Sequence, residues 1–239
     1  MHTCENGLVV VAKIHTEFKD KFGIPRQSGL VSSLRGEIVF EPEFRSMDAV
    51  RGLEEFSHIW LLWEFSKSKR DSYALTVTPP RLGGKERKGV FATRAPYRPN
   101  SIGLSSVRLE EIYEDEKRGP VLVVSGADLL DGTPIFDIKP YLPYTDAHPD
   151  AEGSFGEMHK EDAIAVIFPK EQMDKLPEEL KERVLAVLKQ DPRAAYNKKP
   201  DYVYGMSFAG YDIRFTVENE ILTVCDIVDL SVADFQKVK

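Results

Sequence analysis

Short apolar runs, cut by Gly, Pro and Asp clusters, dominate the first 145 or so residues. Residues 7–14 (GLVVVAKI) form a β-branched run, and 36–44 (GEIVFEPEF) alternates apolar and polar positions with a strand period. Phe56–Phe65 (FSHIWLLWEF) is aromatic-rich and almost wholly apolar, as expected of a strand buried on both faces. Further strands are predicted at 74–77, 89–93, 107–113 and 121–130, and one short helix at 46–55. The breakers between them are PRQSG (25–29), PPRLGG (79–84), YRPNSIG (97–103) and DGTP (131–134). Many short strands at this spacing predict a mainly β fold, a barrel or a sandwich.

From about Leu142 the pattern changes to a polar tract rich in Pro, Gly and acids, which reads as a linker or long surface loop over 146–165. Leu180, Val184, Leu185 and Leu188 then recur at helical spacing, with Pro177 suited to the first turn, and predict a helix over 177–189. Residues 202–217 and 221–228 read as a hairpin joined at 218–220. The expected organisation is a β domain over 1–145, the linker, and a smaller α+β domain over 166–239.

Composition narrows the function classes. With 239 residues, 42% hydrophobic and 30% charged, the chain has the make-up of a globule rather than of a disordered or collagen-like protein. No apolar run approaches the roughly 20 residues that span a bilayer, and the first residues lack the pattern of a secretory signal. Two separate cysteines, Cys4 and Cys225, exclude a disulfide framework and point to a reducing, cytoplasmic setting. The five histidines show no HExxH spacing, so no metal site is expected. His58, inside an apolar run, reads as a core histidine bonded to backbone. A net charge of −7 disfavours general nucleic-acid binding, yet 79–101 holds Arg81, Lys85, Arg87, Lys88, Arg94 and Arg98 against the single acid Glu86. Such a stripe is able to meet a polyanion locally.

No dinucleotide fingerprint, phosphate-binding GxxxxGK[ST] loop or GxSxG elbow occurs. Four rigid loops carry chemistry instead. Residues 25–29 present Arg26 and Gln27; 94–103 set two arginines, Tyr97 and Asn100 among fixed-φ prolines; 128–141 place three acids, Lys139 and Tyr141 around a Gly-Thr-Pro turn; 191–196 (DPRAAY) add Arg193 and Tyr196. Four such loops on one β scaffold point to a binding site.

Six segments together resemble the TrmO, or TsaA-like, family of S-adenosylmethionine-dependent tRNA methyltransferases. They are KFGIPRQSGL (21–30), GLEEFSHIWLL (52–62), PPRLGG (79–84), GVFATRAPYRPNSIGLS (89–105), DLLDGTPIFDIKPYLPY (128–144) and DPRAAY (191–196). The resemblance runs in order over essentially the whole chain. It implies a β-barrel core with a smaller C-terminal α+β domain, a homodimer, and methylation of N6 of N6-threonylcarbamoyladenosine at tRNA position 37. Cofactor contacts carried over by the resemblance are Pro25, Arg26, Gln27, Phe65, Ser66, Arg94, Leu104, Asp131, Gly132, Thr133 and Pro134. Relatives often have histidine where this chain has Ser66, so a backbone contact or stacking by Phe65 survives while a histidine side-chain role does not. Ala195 likewise stands where relatives often show proline.

Chemistry assigns the remaining roles. The acceptor is a ureido nitrogen whose deprotonation leaves delocalised negative charge. Asp137 or Asp128 is expected to accept the proton, and Lys139 or Arg98 to stabilise the anion. Asn100 and Tyr141 hold the base edge by hydrogen bond or stacking. The tRNA backbone follows the 79–101 stripe, with Arg193 and Tyr196 at the anticodon loop. Two other readings are a non-catalytic dimer that binds S-adenosylmethionine or a nucleotide, and a methyltransferase acting on another substrate.

Overall fold

A computed structural model of the chain describes residues 7–68, 72–79, 86–154, 156, 163–193 and 202–231. The apolar runs of the first half form β1 (Ala12–Thr16), β2 (Arg35–Phe40) and β3 (His58–Glu64). A short pair, β4 (Thr76–Val77) and β5 (Lys88–Gly89), lies in the connection that follows β3. Then come β6 (Ile102–Asp115), β7 (Gly119–Ser125) and β8 (Thr133–Pro140). Six of these strands close a barrel in the order β1-β2-β7-β6-β3-β8, every neighbouring pair antiparallel. Alternation sends Ile14, Ile38, Ile59, Leu61, Val107, Leu122 and Ile135 into the interior. Each such side chain contributes about 1.5–3 kcal/mol relative to exposure.

β8 is a strand the sequence pattern had hidden within the 128–141 loop. Its two prolines stand at positions 134 and 140, near its ends, where a missing N–H costs the ladder least. The helix expected at 46–55 is instead two 3-10 turns, Met47–Ala49 and Leu53–Glu55, interrupted at Gly52. β3 is buried on one face only. Ile59, Leu61 and Trp63 point inward, while His58, Trp60 and Leu62 are half-buried on the outer wall. His58 is therefore not a core histidine; its Nδ1 lies 2.9 Å from the Ser57 hydroxyl.

One residue of β6 sits directly beneath an indole. A Cβ at Gly103 would lie 2.3–2.7 Å from ring atoms of Trp63, closer than real Cβ contacts allow. Gly103→Ala is therefore expected to lower stability by about 1–3 kcal/mol through overpacking. Thermal unfolding of the variant checks this, and an unchanged Tm would contradict the contact.

The C-terminal part holds a four-stranded sheet in the order β10-β11-β12-β9. β9 (Ala165–Ile167) runs parallel to β12 (Ile221–Asp229). β10 (Tyr204–Phe208) and β11 (Tyr211–Glu218) form a meander with β12. The single strand expected over 202–217 is thus a hairpin turning at Ala209-Gly210, both at positive φ. The turn expected at 218–220 is present, with Asn219 and Glu220 at positive φ. Two one-turn helices, α1 (Pro143–Asp146) and α2 (Lys170–Met173), precede α3 (Glu178–Lys189). Helix α3 buries Val184, Val187 and Leu188.

These two parts share a core. Phe18, Val31 and Leu34, all from the β1–β2 connection, pack in one cluster with Val184, Leu188, Met206, Phe208 and Phe215, and Phe22 and Ile24 pack against it. Phe18 meets Phe208 edge to face at 5.1 Å, and Ala209 N–H donates to the Glu17 carbonyl at 3.0 Å. The connection that carries residues 25–29 is thereby gripped by the C-terminal sheet.

Candidate active site

Strand polarity collects the β1–β2, β3–β6 and β7–β8 connections at one mouth of the barrel. Pro25, Arg26, Gln27, Phe65, Ser66, Arg94 and the 131–134 turn all lie on these connections or at their junctions, and Leu104 lies near the start of β6. Pro25 is buried, which leaves Arg26 exposed and Gln27 half-exposed at the turn. The Arg94 guanidinium donates to Gln27 Oε1, and Arg26 reaches the Asp191 carbonyl at 3.5 Å. Phe65 packs edge to face on Trp63 at 4.3 Å. The Asp131 carboxylate accepts from Thr16 N–H at 3.1 Å and from the Lys19 ammonium at 2.6 Å, with His15 Nδ1 at 3.3 Å. Nothing lies within 4 Å of where a side chain at Gly132 would begin, so there is open space beside that turn, although its Asp131, Gly132 and Thr133 N–H groups donate to the Phe18, Ile14 and Leu130 carbonyls.

Two carboxylates at the mouth differ in environment. Burial pushes Asp128 above the ordinary aspartate range, against the hydrogen bond from Ser105, the backbone N–H groups of Asp128 and Ser28, and the charge of Arg94. Burial also acts upward on Asp131, but there Lys19, the Thr16 N–H and His15 outweigh it and hold the carboxyl below its usual value. A carboxyl lowered by folding stabilises the protein above its unfolded pKa of about 3.9, and that stability is lost as pH falls through the lower folded value. Asp131→Asn is therefore expected to flatten the acid side of the stability–pH curve. Denaturant unfolding from pH 5 downward measures this, and parallel curves for the two proteins would exclude it.

The other expected residues fall elsewhere. Asp137 and Lys139 face outward on β8 and pair with each other at 2.8 Å, 45% and 62% exposed. At about 3.3 Å per residue they lie roughly 13 and 20 Å along the strand from Thr133. Tyr141 continues that outer face, 5.5 Å from the Trp60 ring, whose Nε1–H donates to Asp146 at 2.8 Å. Asn100 is exposed beside the start of β6. Arg98 braces its own loop by donating to the Thr93 carbonyl at 2.7 Å. Arg87 bonds the Thr76 hydroxyl at 2.9 Å, and Lys88 pairs with Glu86 at 2.5 Å. Arg193, with 4% of its side chain exposed, is held from both Nε and Nη2 by Asp191 at 2.8 Å; it braces the segment after α3 rather than reaching into solvent. Arg81, Lys85 and Tyr196 lie outside the described residues.

Sequence reading missed Trp63 and Ser105. Trp63 Nε1–H donates to Ser105 Oγ at 3.0 Å, and that hydroxyl donates to Asp128 at 2.7 Å. A signal was present, because Ser105 is a polar residue at an inward position of β6, between Gly103 and Val107.

The residues at the mouth suit the methyl donor that the resemblance implies. Arg26 and Arg94 match a carboxylate, Phe65 an aromatic or cationic face, and the Asp131 carboxylate, with open space beside Gly132, an ammonium or hydroxyl groups. Among the described residues, no group of three or more His, Cys, Asp or Glu is placed to hold a metal ion, and no helix is long and apolar enough to cross a membrane.

Comparison with known proteins agrees along the chain. The tRNA-methyltransferase O N-terminal domain matches residues 13–147, and the TrmO C-terminal domain matches residues 161–230. The tRNA (adenine(37)-N6)-methyltransferase of Escherichia coli is 40% identical over 215 residues, covering 87% of this chain and 91% of that protein. A Pseudomonas aeruginosa protein named "Putative S-adenosylmethionine-dependent methyltransferase RcsF" is 40% identical over 226 residues, 91% of this chain and 95% of that one. The crystal structure of TrmO from P. aeruginosa superposes with a TM-score of 0.74 at 34% identity, over 96% of this chain and 98% of that chain.

Proposed function

The chain belongs to the TrmO family, and on that premise we propose that it transfers a methyl group from S-adenosylmethionine to N6 of N6-threonylcarbamoyladenosine at position 37 of tRNA, working as a cytoplasmic homodimer. The observation that supports this most is the convergence of residues 25–27, 65–66, 94 and 131–134 on one mouth of the barrel. S-adenosylmethionine supplies an electrophilic methyl on a cationic sulfur. Arg26 and Arg94 would hold its carboxylate, and Phe65 and the 131–134 turn would line the site around it.

Methyl transfer forms the N6–CH3 bond, breaks the sulfur–CH3 bond and leaves a neutral thioether. The ureido proton goes to Asp137, and Lys139, already 2.8 Å from that carboxylate, steadies the negative charge that develops on the ureido group. Tyr141 stacks on or bonds the base edge beside Trp60. Because Asp137 faces outward, a second copy is needed to bring this wall opposite a mouth. Leu75, Phe91 and Leu104, which are 71%, 77% and 54% exposed, offer apolar surface for that contact.

The test is purified protein with methyl-labelled S-adenosylmethionine and tRNA carrying threonylcarbamoyladenosine at position 37, read by nucleoside mass spectrometry. Labelled N6-methylated product is expected. Cofactor binding without transfer would favour the non-catalytic dimer, and transfer to the free modified nucleoside alone would favour another substrate. On the RNA side, Arg87→Ala with Lys88→Ala is expected to weaken tRNA binding and to lower its log–log salt slope by about 0.7–0.9 for each phosphate that is no longer neutralised. An unchanged slope in filter binding would remove these residues from the docking path.

A further inference from the structure

We propose that Asp128 is an anchor for the methyl-donor loops, with Ser105 and Trp63 as the positioning residues behind it, and that it is not the proton acceptor of the reaction. This rests on reading the barrel mouth as the methyl-donor site.

The geometry is a chain of contacts from the interior of the barrel to the 25–29 loop. Trp63 is pinned from below by Gly103 and from the side by Phe65. Its Nε1–H fixes the Ser105 hydroxyl, which leaves that hydroxyl's own proton for Asp128 Oδ1 at 2.7 Å. Trp63 and Ser105 are both buried, so neither exchanges these bonds freely with water. The backbone N–H of Ser28, inside the 25–29 loop, and the charge of Arg94, which in turn holds Gln27, both act on the Asp128 carboxylate. Backbone contacts run beside it. Gly29 N–H donates to the Gly126 carbonyl at 2.8 Å, and Gly126 N–H to the Leu34 carbonyl at 2.9 Å. Gly126 has φ +75, and a Cβ there would meet the Gly29 backbone at 3.3 Å, so the loop and the β7–β8 connection touch main chain to main chain.

A buried carboxylate whose Oδ1 is already taken by the Ser105 hydroxyl at 2.7 Å is poorly arranged to collect a proton from substrate. It is well arranged to fix three connections relative to one another. Removing a hydrogen bond to a buried charge loosens what it holds by a factor of about ten or more in an equilibrium constant.

The experiment compares Ser105→Ala, Trp63→Phe, Asp128→Asn and the Ser105→Ala/Asp128→Asn double variant. Ser105→Ala is expected to raise the calorimetric Kd and the KM for S-adenosylmethionine about tenfold and to change kcat at saturation less than about threefold. Trp63→Phe, which keeps an aromatic ring against Phe65 and removes the donor, should shift Kd the same way by less. In the Asp128→Asn background, Ser105→Ala should add little, because both act through one bond. Amide hydrogen exchange of Ser28 and Gly29 in the unliganded protein should speed up in the Ser105→Ala variant. That readout needs neither methyl donor nor RNA. If the parent binds no S-adenosylmethionine while the exchange effect appears, the functional reading fails and the anchor stands. A fall in kcat of about 100-fold or more in Asp128→Asn at unchanged Kd overturns the anchor in favour of a general base. Unchanged exchange together with unchanged Kd in Ser105→Ala overturns it outright.

Discussion

Asp137→Asn is expected to lower kcat for methyl transfer by about 100- to 10,000-fold, with little change in S-adenosylmethionine affinity. That range corresponds to about 2.7–5.5 kcal/mol of transition-state stabilisation. The amide keeps the size of the side chain and still accepts a hydrogen bond from Lys139, but it cannot take the ureido proton. Asp137 is 45% exposed on the outer wall of the barrel, well away from the hydrophobic interior, so folding should be unaffected and the loss should be chemical. The same residue tests the dimer. Arg94→Ala impairs the mouth and Asp137→Asn impairs the wall. If one copy's wall serves the other's mouth, mixing the two inactive variants restores roughly a quarter of parental activity, since half the dimers are mixed and each holds one intact site. Activity that stays at the level of the separate variants would confine each site to a single chain. Full activity of Asp137→Asn at saturating substrates would remove it as the base.

Phe18→Ala should produce the largest loss of stability. Phe18 is 1% exposed, touches Phe208 edge to face, and belongs to the cluster that the barrel connection shares with the C-terminal sheet. Deleting a buried phenyl ring costs about 3–5 kcal/mol. For a chain of this size that lowers Tm by roughly 6–20 °C. A second consequence follows from the backbone. Asp131 N–H donates to the Phe18 carbonyl at 2.9 Å, so a shift of residue 18 is transmitted to the 131–134 turn. The variant is therefore expected to bind S-adenosylmethionine more weakly even well below its Tm. Calorimetric titration at low temperature separates the two effects. A large drop in Tm with unchanged cofactor affinity would show that the C-terminal sheet does not brace the methyl-donor loops.

Much of this protein was legible as a pattern. Short apolar, β-branched and aromatic runs cut by Gly and Pro marked most of the barrel strands, but only 36–44 was read by its period-two alternation, and the aromatic run of β3 concealed its single buried face. The 3.6-residue spacing in 177–189 marked α3, since its buried side lies against the second core. Several elements escaped, among them β9, α1 and α2, and the strand expected at 89–93 is largely a 3-10 turn at Val90–Ala92; two further cases show why. β8 carries prolines at 134 and 140 and a register shift where Leu62 opposes Asp137 and Trp63 opposes Ile135. The shift breaks the alternation just where it would have been read. The β10–β11 turn is Ala-Gly rather than Asn-Gly or Asp-Gly, so its signal was too weak to divide one apolar run into two strands.

The residue types of the site were likewise present in the sequence, but their distribution in space was not. Motifs far apart in the chain, at 25–27, 65–66, 94 and 131–134, meet because antiparallel closure returns every second connection to the same end of the barrel. The motif that looks continuous, from Asp128 to Tyr141, is divided, because β8 carries its second half roughly 13–20 Å down the outer wall at about 3.3 Å per residue. Local sequence determines which side chains alternate, where the chain turns and which chemical groups are available, since these depend on neighbouring residues. Which groups meet depends on strand register and closure, and these arise only when distant strands pair. That is why Trp63, Ser105 and Asp128 become one hydrogen-bonded unit although up to 65 residues separate them in the chain.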